Sequence, residues 1–142
     1  MIDVDTIEKG PGYCFINTGS PHYVAFESNL KKFDIIEKAR LIRYNGRFRE
    51  EGTNVNFISL DDDKLHIRTY ERGVEDETLA CGTGVTAAVL AAHATGQFKG
   101  CELDVVAQGG FLKVKFEKSN NGYQNIWLEG PAEYVFKGTI NA

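Results

Sequence analysis

Residues 77–84 read Glu-Thr-Leu-Ala-Cys-Gly-Thr-Gly and lead directly into Val85-Thr86-Ala87-Ala88-Val89-Leu90-Ala91-Ala92, a stretch with no charged side chain. A thiol at the start of a helix lies among backbone N–H groups that lack intrahelical partners, at the positive end of the helix dipole, and both features stabilise its thiolate. Cys81 is therefore a candidate base or acid in proton transfer. Gly82 and Gly84 are costly near a helix start unless something must approach the backbone closely. The free N–H groups of this helix start suit a carboxylate. A free cysteine more often serves as a small apolar group; the glycines on either side of Thr83 turn the reading toward chemistry.

Other side chains are read against this centre. His22 follows Pro21 at a strand start, where it either orients Cys81 or a carboxylate or is a hydrogen-bonded structural histidine. His93 lies within the apolar helix and reads as a satisfied core residue, whereas His66 alternates with Leu65 and Ile67 and reads as facing solvent. Glu71 and Arg72, taken by themselves, read as a surface charge pair of little energetic worth. Asn54 either serves a turn or meets a ligand. The Asp61-Asp62-Asp63 run is a solvated hairpin tip with too few ligands for calcium. Cys14, Cys81 and Cys101 form an odd, widely spaced set that fits neither a disulfide framework nor a zinc knuckle, so reduced thiols and no metal are expected.

These residues need elements to hold them. A chain of 142 residues is long enough to bury one core and short for two, so residues 1–142 are read as a single domain. Its 16 basic and 20 acidic residues give a net charge of −4, which argues against a nucleic-acid or anionic-membrane partner. The uncharged stretch Leu79 to Phe98 is interrupted by glycines, threonines and His93, and its helical part is too short for a bilayer core of roughly 30 Å. The first residues lack the basic and apolar regions of a signal peptide, which favours a cytoplasmic location.

Strands are expected at 13–18, 22–27, 54–60, 64–70, 102–107, 111–117, 124–128 and 132–138, separated mostly by turn signals such as Gly19-Ser20-Pro21 and Gln108-Gly109-Gly110. Helices are expected at 30–43 and at 83–95, the latter ending at Gly96. The second is apolar nearly all round, hence buried on every side, with small residues that let strands pack tightly against it. The economical arrangement is an α+β fold: a curved, mainly antiparallel β-sheet or barrel-like wrap around a central buried helix. Cys81 then emerges at the mouth of the wrap.

Glu71-Arg72-Gly73 followed by Glu77-Thr78-Leu79-Ala80-Cys81-Gly82-Thr83-Gly84 resembles the C-terminal half of diaminopimelate epimerases. The resemblance extends to Asn17-Thr18-Gly19-Ser20-Pro21-His22, Gly52-Thr53-Asn54-Val55-Asn56-Phe57, Gly109-Gly110 and Leu128-Glu129-Gly130-Pro131-Ala132, in the family's order over nearly the whole chain. It implies two similar domains, each a β-structure around a central helix, with the substrate between them and no pyridoxal phosphate or metal. It also implies interconversion of LL- and meso-2,6-diaminopimelate, for lysine and cell-wall synthesis, by a thiolate base and a thiol acid on opposite faces of the α-carbon. Position by position, Cys81 matches the C-terminal catalytic cysteine, Gly82 and Thr83 the loop that holds the α-carboxylate, and Glu71, Arg72 and Asn54 substrate contacts.

Two departures stand out. Ser20 occupies the place of a substrate-contacting asparagine in the family's Asn-Pro-His. The family's N-terminal half, with its Cys-Gly-Asn-Gly loop, has no counterpart in these residues, and neither Cys14 nor Cys101 has that neighbourhood. The isolated chain is accordingly expected to lack turnover. Its expected partners are the amino-acid substrate, the missing half and, because the two halves are alike, a second copy in a homodimer. The alternatives are a proline racemase-like or phenazine-biosynthesis-like isomerase of the same fold, and a non-catalytic binding or assembly domain.

Overall fold

A computed structural model describes residues 1–142. Nine strands, β1 (Ile7–Gly10), β2 (Tyr13–Asn17), β3 (Pro21–Phe26), β4 (Asn54–Asp61), β5 (Lys64–Glu71), β6 (Asp76–Thr78), β7 (Glu102–Ala107), β8 (Gly110–Lys118) and β9 (Tyr123–Glu129), form one sheet. Its order is β1-β2-β3-β4-β5-β7-β8-β9, with β6 paired to β5. The pairings are antiparallel except β3 with β4 and β5 with β7, so the sheet is mixed. Each parallel step is bridged by a crossover that carries a helix, as parallel neighbours require. Helix α1 (Ile35–Arg43) links β3 to β4, and α2 (Gly82–Ala94) lies between β6 and β7.

The sheet curls around α2, producing the α+β half-barrel that the apolar helix demands. Every residue from Gly84 to Ala92 is buried, and the helix packs into a core that includes Ile16, Val24, Ile58, Leu65, Val105, Val114 and Phe116. The amide and carbonyl of Val4 both bond to Tyr123, tying the start of the chain to β9 at 2.9 and 2.8 Å. On the opposite face of the sheet, α1 covers β4 and β5. There Leu30, Ile35 and Ala39 close over Val55, Phe57 and Tyr70. Strand β4 thus sorts its residues by the period of two: Val55 and Phe57 face α1, while Asn54, Asn56 and Ile58 share the face toward α2.

Three expectations need correction. The single helix at 30–43 is a 3₁₀ turn at Leu30–Lys32 followed by α1. Arg68 donates to the carbonyls of Leu30 and Phe33 at 2.8 and 2.9 Å, and Asp34 caps a fresh helix by accepting from the Glu37 amide. Two short strands, β1 and β6, were not expected, because neither Ile7-Glu8-Lys9-Gly10 nor Asp76-Glu77-Thr78 carries an apolar alternation; their neighbours β2 and β5 supply the ladder. The strand expected at 132–138 is absent: the tail from Gly130 is unpaired, and Tyr134, Val135 and Phe136 are more than four-fifths exposed. Alternation makes a strand only where a ladder and a face receive it.

Candidate active site

Cys81 is the N-cap of α2, in extended conformation, with a half-buried side chain and no side-chain bond across the helix start. The first helical bond runs from the Val85 amide to the Cys81 carbonyl at 2.8 Å, and no acceptor in the chain meets the amides of Gly82, Thr83 or Gly84. Three N–H groups at the positive helix end therefore point outward beside a thiol. A side chain at either glycine would force its neighbours to move: a Cβ on Gly82 would lie 2.8 Å from the end of the Leu128 side chain, and one on Gly84 would lie 2.5 Å from Asn56 Oδ1.

Behind the thiol is a chain of polar side chains. Cys81 Sγ lies 3.5 Å from Thr83 Oγ1, which is 2.9 Å from His22 Nε2. His22 Nδ1 is 3.1 Å from the Asn56 amide nitrogen, which also donates to the Tyr23 carbonyl at 3.1 Å. Thr69 donates to Asn56 Oδ1 at 2.9 Å. Thr18 donates to the Thr83 carbonyl at 2.8 Å and fixes the turn from the other side. His22, Asn56, Thr69 and Thr18 are all buried. Burial, and then the positive charge of Arg72, push the His22 imidazole down to about 4, so it is neutral at pH 7.

A second network starts one residue pair away. Asn54 donates to Ser20 Oγ at 2.9 Å and to the Pro21 carbonyl at 3.1 Å, and its Oδ1 accepts the Arg72 amide at 2.8 Å. The Arg72 guanidinium reaches the Glu51 carbonyl at 2.8 Å, whereas the Glu71 side chain has no bond within the chain. The turn that carries them is braced by Glu75, a non-glycine residue at φ 58°. Its carboxylate accepts from Arg43, Tyr44 and the Gly73 amide at 3.0 to 3.1 Å. Burial by itself would push the Glu75 carboxyl up, but these donors outweigh it and hold the group below the usual carboxylate range.

The fold thus brings the expected residues together in two adjoining groups: Cys81, Gly82, Thr83 and His22 in one, and Ser20, Asn54 and Arg72 in the other. They meet at Ser20-Pro21-His22, because the register places His22 opposite Asn54 and Val24 opposite Asn56. Cys14 is fully buried on β2 and Cys101 is exposed ahead of β7. His93, half-buried, is bonded to the Tyr123 hydroxyl at 2.8 Å. His66 is half-buried and lines a surface hollow of about 350 Å³ with Leu30 and Arg68, away from the thiol. Five surface hollows of about 230–400 Å³ are lined by residues other than Cys81, Gly82 and Thr83.

Asn56, Thr69 and Thr18 were not singled out from the sequence. The signal was present for Asn56: two asparagines two residues apart on one face of an otherwise apolar strand demand buried partners. No group of three or more His, Cys, Asp or Glu side chains is placed to hold a metal ion, and no helix is long and apolar enough to cross a membrane.

Known proteins resemble this chain over most of its length. Residues 14–135 match the family model described as diaminopimelate epimerase. The chain is 45% identical to the diaminopimelate epimerase of Flavobacterium psychrophilum, over 99% of this chain and 55% of that protein. It is 45% identical to that of Chlorobaculum tepidum, over 96% and 53%, and 39% identical to that of Aquifex aeolicus, over 89% and 45%. The chain spans about half the length of these relatives. Among solved structures it is similar to a PhzF-family phenazine biosynthesis protein of Bacillus anthracis, with TM-score 0.53 and 20% identity over 84% of this chain and 36% of that one. A PhzF-family protein of Enterococcus faecalis gives 0.54 and 16%, over 85% and 40%. At such identities the likeness is one of fold, while the match over residues 14–135 and the relatives at 45% show that the chain belongs to the diaminopimelate epimerase family.

Proposed function

We propose that this chain is the C-terminal half of a cofactor-independent diaminopimelate epimerase, with Cys81 exchanging the α-proton on one face of 2,6-diaminopimelate. The observation that carries the reading is the meeting, at one end of α2, of a partly accessible thiol and three amides without acceptors. An α-carboxylate seated on Gly82 and Thr83 directs its Cα–H bond toward the Cys81 sulfur. The S–H bond forms as the C–H bond breaks, and the electron pair moves toward the carboxylate. No electron sink assists, so fixed N–H dipoles facing the developing charge supply the stabilisation. Arg72, Glu71, Asn54 and Ser20 form the wall that receives the rest of the substrate.

Inversion also requires a proton donor on the opposite face of Cα, and neither buried Cys14 nor Cys101 shares the Cys81 turn. The second thiol and the second wall belong to the other half of the protein. This chain alone therefore has no appreciable turnover, since loss of one positioned acid costs about 10²- to 10⁴-fold.

The test is complementation. The purified chain is mixed with, or fused to, the N-terminal half of the Flavobacterium psychrophilum relative, and solvent deuterium entering Cα of diaminopimelate is followed with optical assay. Exchange by the pair and none by either half is the expected result. Robust inversion by this chain alone, or none by a folded pair, overturns the proposal.

A further inference from the structure

The hydrogen-bond chain behind Cys81 has a direction that its chemistry fixes. The starting point is a backbone carbonyl, which only accepts. The Asn56 amide atom 3.1 Å from the Tyr23 carbonyl must therefore be the nitrogen. The other amide atom is then the oxygen, and it accepts from the Thr69 hydroxyl at 2.9 Å. The second hydrogen of the same nitrogen points at His22 Nδ1, 3.1 Å away. A neutral imidazole offers one acceptor and one donor. With Nδ1 accepting, the ring proton sits on Nε2 and is donated to Thr83 Oγ1 at 2.9 Å. The Thr83 hydroxyl, its oxygen already accepting, has its hydrogen left for the one other polar atom in reach, Cys81 Sγ at 3.5 Å.

We infer that Thr69, Asn56, His22 and Thr83 form a one-way hydrogen-bond relay, anchored on the Tyr23 carbonyl, that delivers a hydroxyl donor to the Cys81 thiolate. His22 is thereby a positioning residue: its Nδ1 is occupied by a donor, and Nε2 already holds its proton, so it cannot collect the proton that leaves the substrate. Two features of the fold serve the relay. The parallel register of β3 and β4 sets Val24 opposite Asn56, with His22 two residues earlier on the same face. Gly84 lets α2 approach so closely that any Cβ would lie 2.5 Å from Asn56 Oδ1 and 3.2 Å from the imidazole. The catalytic use of the relay rests on the proposed role of Cys81; its polarity does not.

Both claims are read on the 142-residue chain without substrate. Long-range ¹H–¹⁵N correlation on the imidazoles at pH 7 shows His22 as the neutral Nε2–H tautomer; an Nδ1–H tautomer or an imidazolium overturns the polarity. Asn56→Asp, which replaces the donor opposite Nδ1 by an acceptor, places a proton on Nδ1, and a ring left bare at Nδ1 in the folded variant also overturns it. Thr83→Val slows iodoacetamide alkylation of Cys81 at pH 7 by about 3- to 10-fold, since a lost bond to a charged group is partly offset by the higher intrinsic nucleophilicity of the sulfur. Thr83→Ser restores the rate. An unchanged rate in folded Thr83→Val overturns donation to the thiolate. Failure of the epimerase reading appears elsewhere, as absent deuterium exchange in the complemented pair with the tautomer and alkylation results intact.

Discussion

The two ends of α2 each hold a histidine, and the contrast between them shows how surroundings assign a role to the same side chain. At the C-terminal end, His93 bonds to the Tyr123 hydroxyl and is ringed edge-on by Phe98, Phe116 and Tyr123, with centroids 5.0 to 5.5 Å away. At the N-terminal end, His22 sits between Asn56 and Thr83, with no aromatic ring stacked on it, and the chain of bonds runs on to a thiol. Burial lowers the affinity of both rings for a second proton. Neutrality alone therefore distinguishes nothing. The difference is the far partner: a tyrosine closed within the core, or a hydroxyl beside a half-exposed sulfur. The orphan amides belong to the N-terminal end as well, so geometry and dipole favour an anion at that end only.

The comparison is broken most severely by removing the thiol. Cys81→Ala in the complemented protein is expected to lower exchange at Cα by about 10²- to 10⁴-fold, while His93→Phe leaves exchange nearly unchanged. Equal losses in the two variants would erase the functional distinction between the helix ends.

Next in size is the response to acid. His22 takes up a second proton near pH 6.5 in the unfolded chain but only near 4 in the folded one. The unfolded state thus binds more protons within that window, and stability falls as pH is lowered from about 6.5 toward 4. The full loss from this one group is about 3 kcal/mol. Chemical denaturation at a series of pH values checks it, and the loss should begin above the range in which carboxylates titrate. A flat profile between pH 7 and 5 would show that His22 is more accessible to water than its packing indicates.

Gly84→Ala is a smaller and more diagnostic change. In a free helix, alanine is favoured over glycine by about 1 kcal/mol. Here the added Cβ meets Asn56 Oδ1 at 2.5 Å, and Asn56 is held by Thr69 and by the Tyr23 carbonyl, so net destabilisation of about 1–3 kcal/mol is expected. Thermal unfolding measures it, and a stabilised variant would mean that the relay gives way easily.

The smallest effects are at the aromatic end and among the thiols. His93→Phe strands the Tyr123 hydroxyl and costs about 1 kcal/mol, with no change in Cys81 alkylation. Among the wild-type thiols, Cys101 is exposed, Cys81 is half-buried and Cys14 is buried, so access alone ranks Cys101 first. The helix N-terminus reverses that order in Cys81's favour at pH 7. Mass spectrometry after limited iodoacetamide treatment decides, and earlier labelling of Cys101 would mean that accessibility outweighs the helix end.

Much of this was determined by the sequence on its own. An apolar run without a polar face can only be a buried helix, so α2 and the sheet curled around it followed from Val85 to Ala92. Cys-Gly-Thr-Gly ahead of that run located the thiol at the helix start, because glycines cluster there only when the backbone must be approached. Local patterns could not place residues that act across the chain. Asn56, Thr69 and Thr18 lie on three different strands or their ends: the parallel β3–β4 register brings Asn56 to His22, the antiparallel β4–β5 register sets Thr69 opposite Asn56, and Thr18 reaches the Thr83 carbonyl from the end of β2. The break between Lys32 and Ile35 likewise depends on Arg68, a residue far along the chain that takes the carbonyls of Leu30 and Phe33. The tail Ala132 to Gly138 alternates like a strand and remains unpaired, since a ladder needs a partner that no single segment can encode. Periodicity records which face a segment will bury; hydrogen-bond direction, tautomer and pairing are properties of contacts, and only the tertiary structure brought those contacts into being.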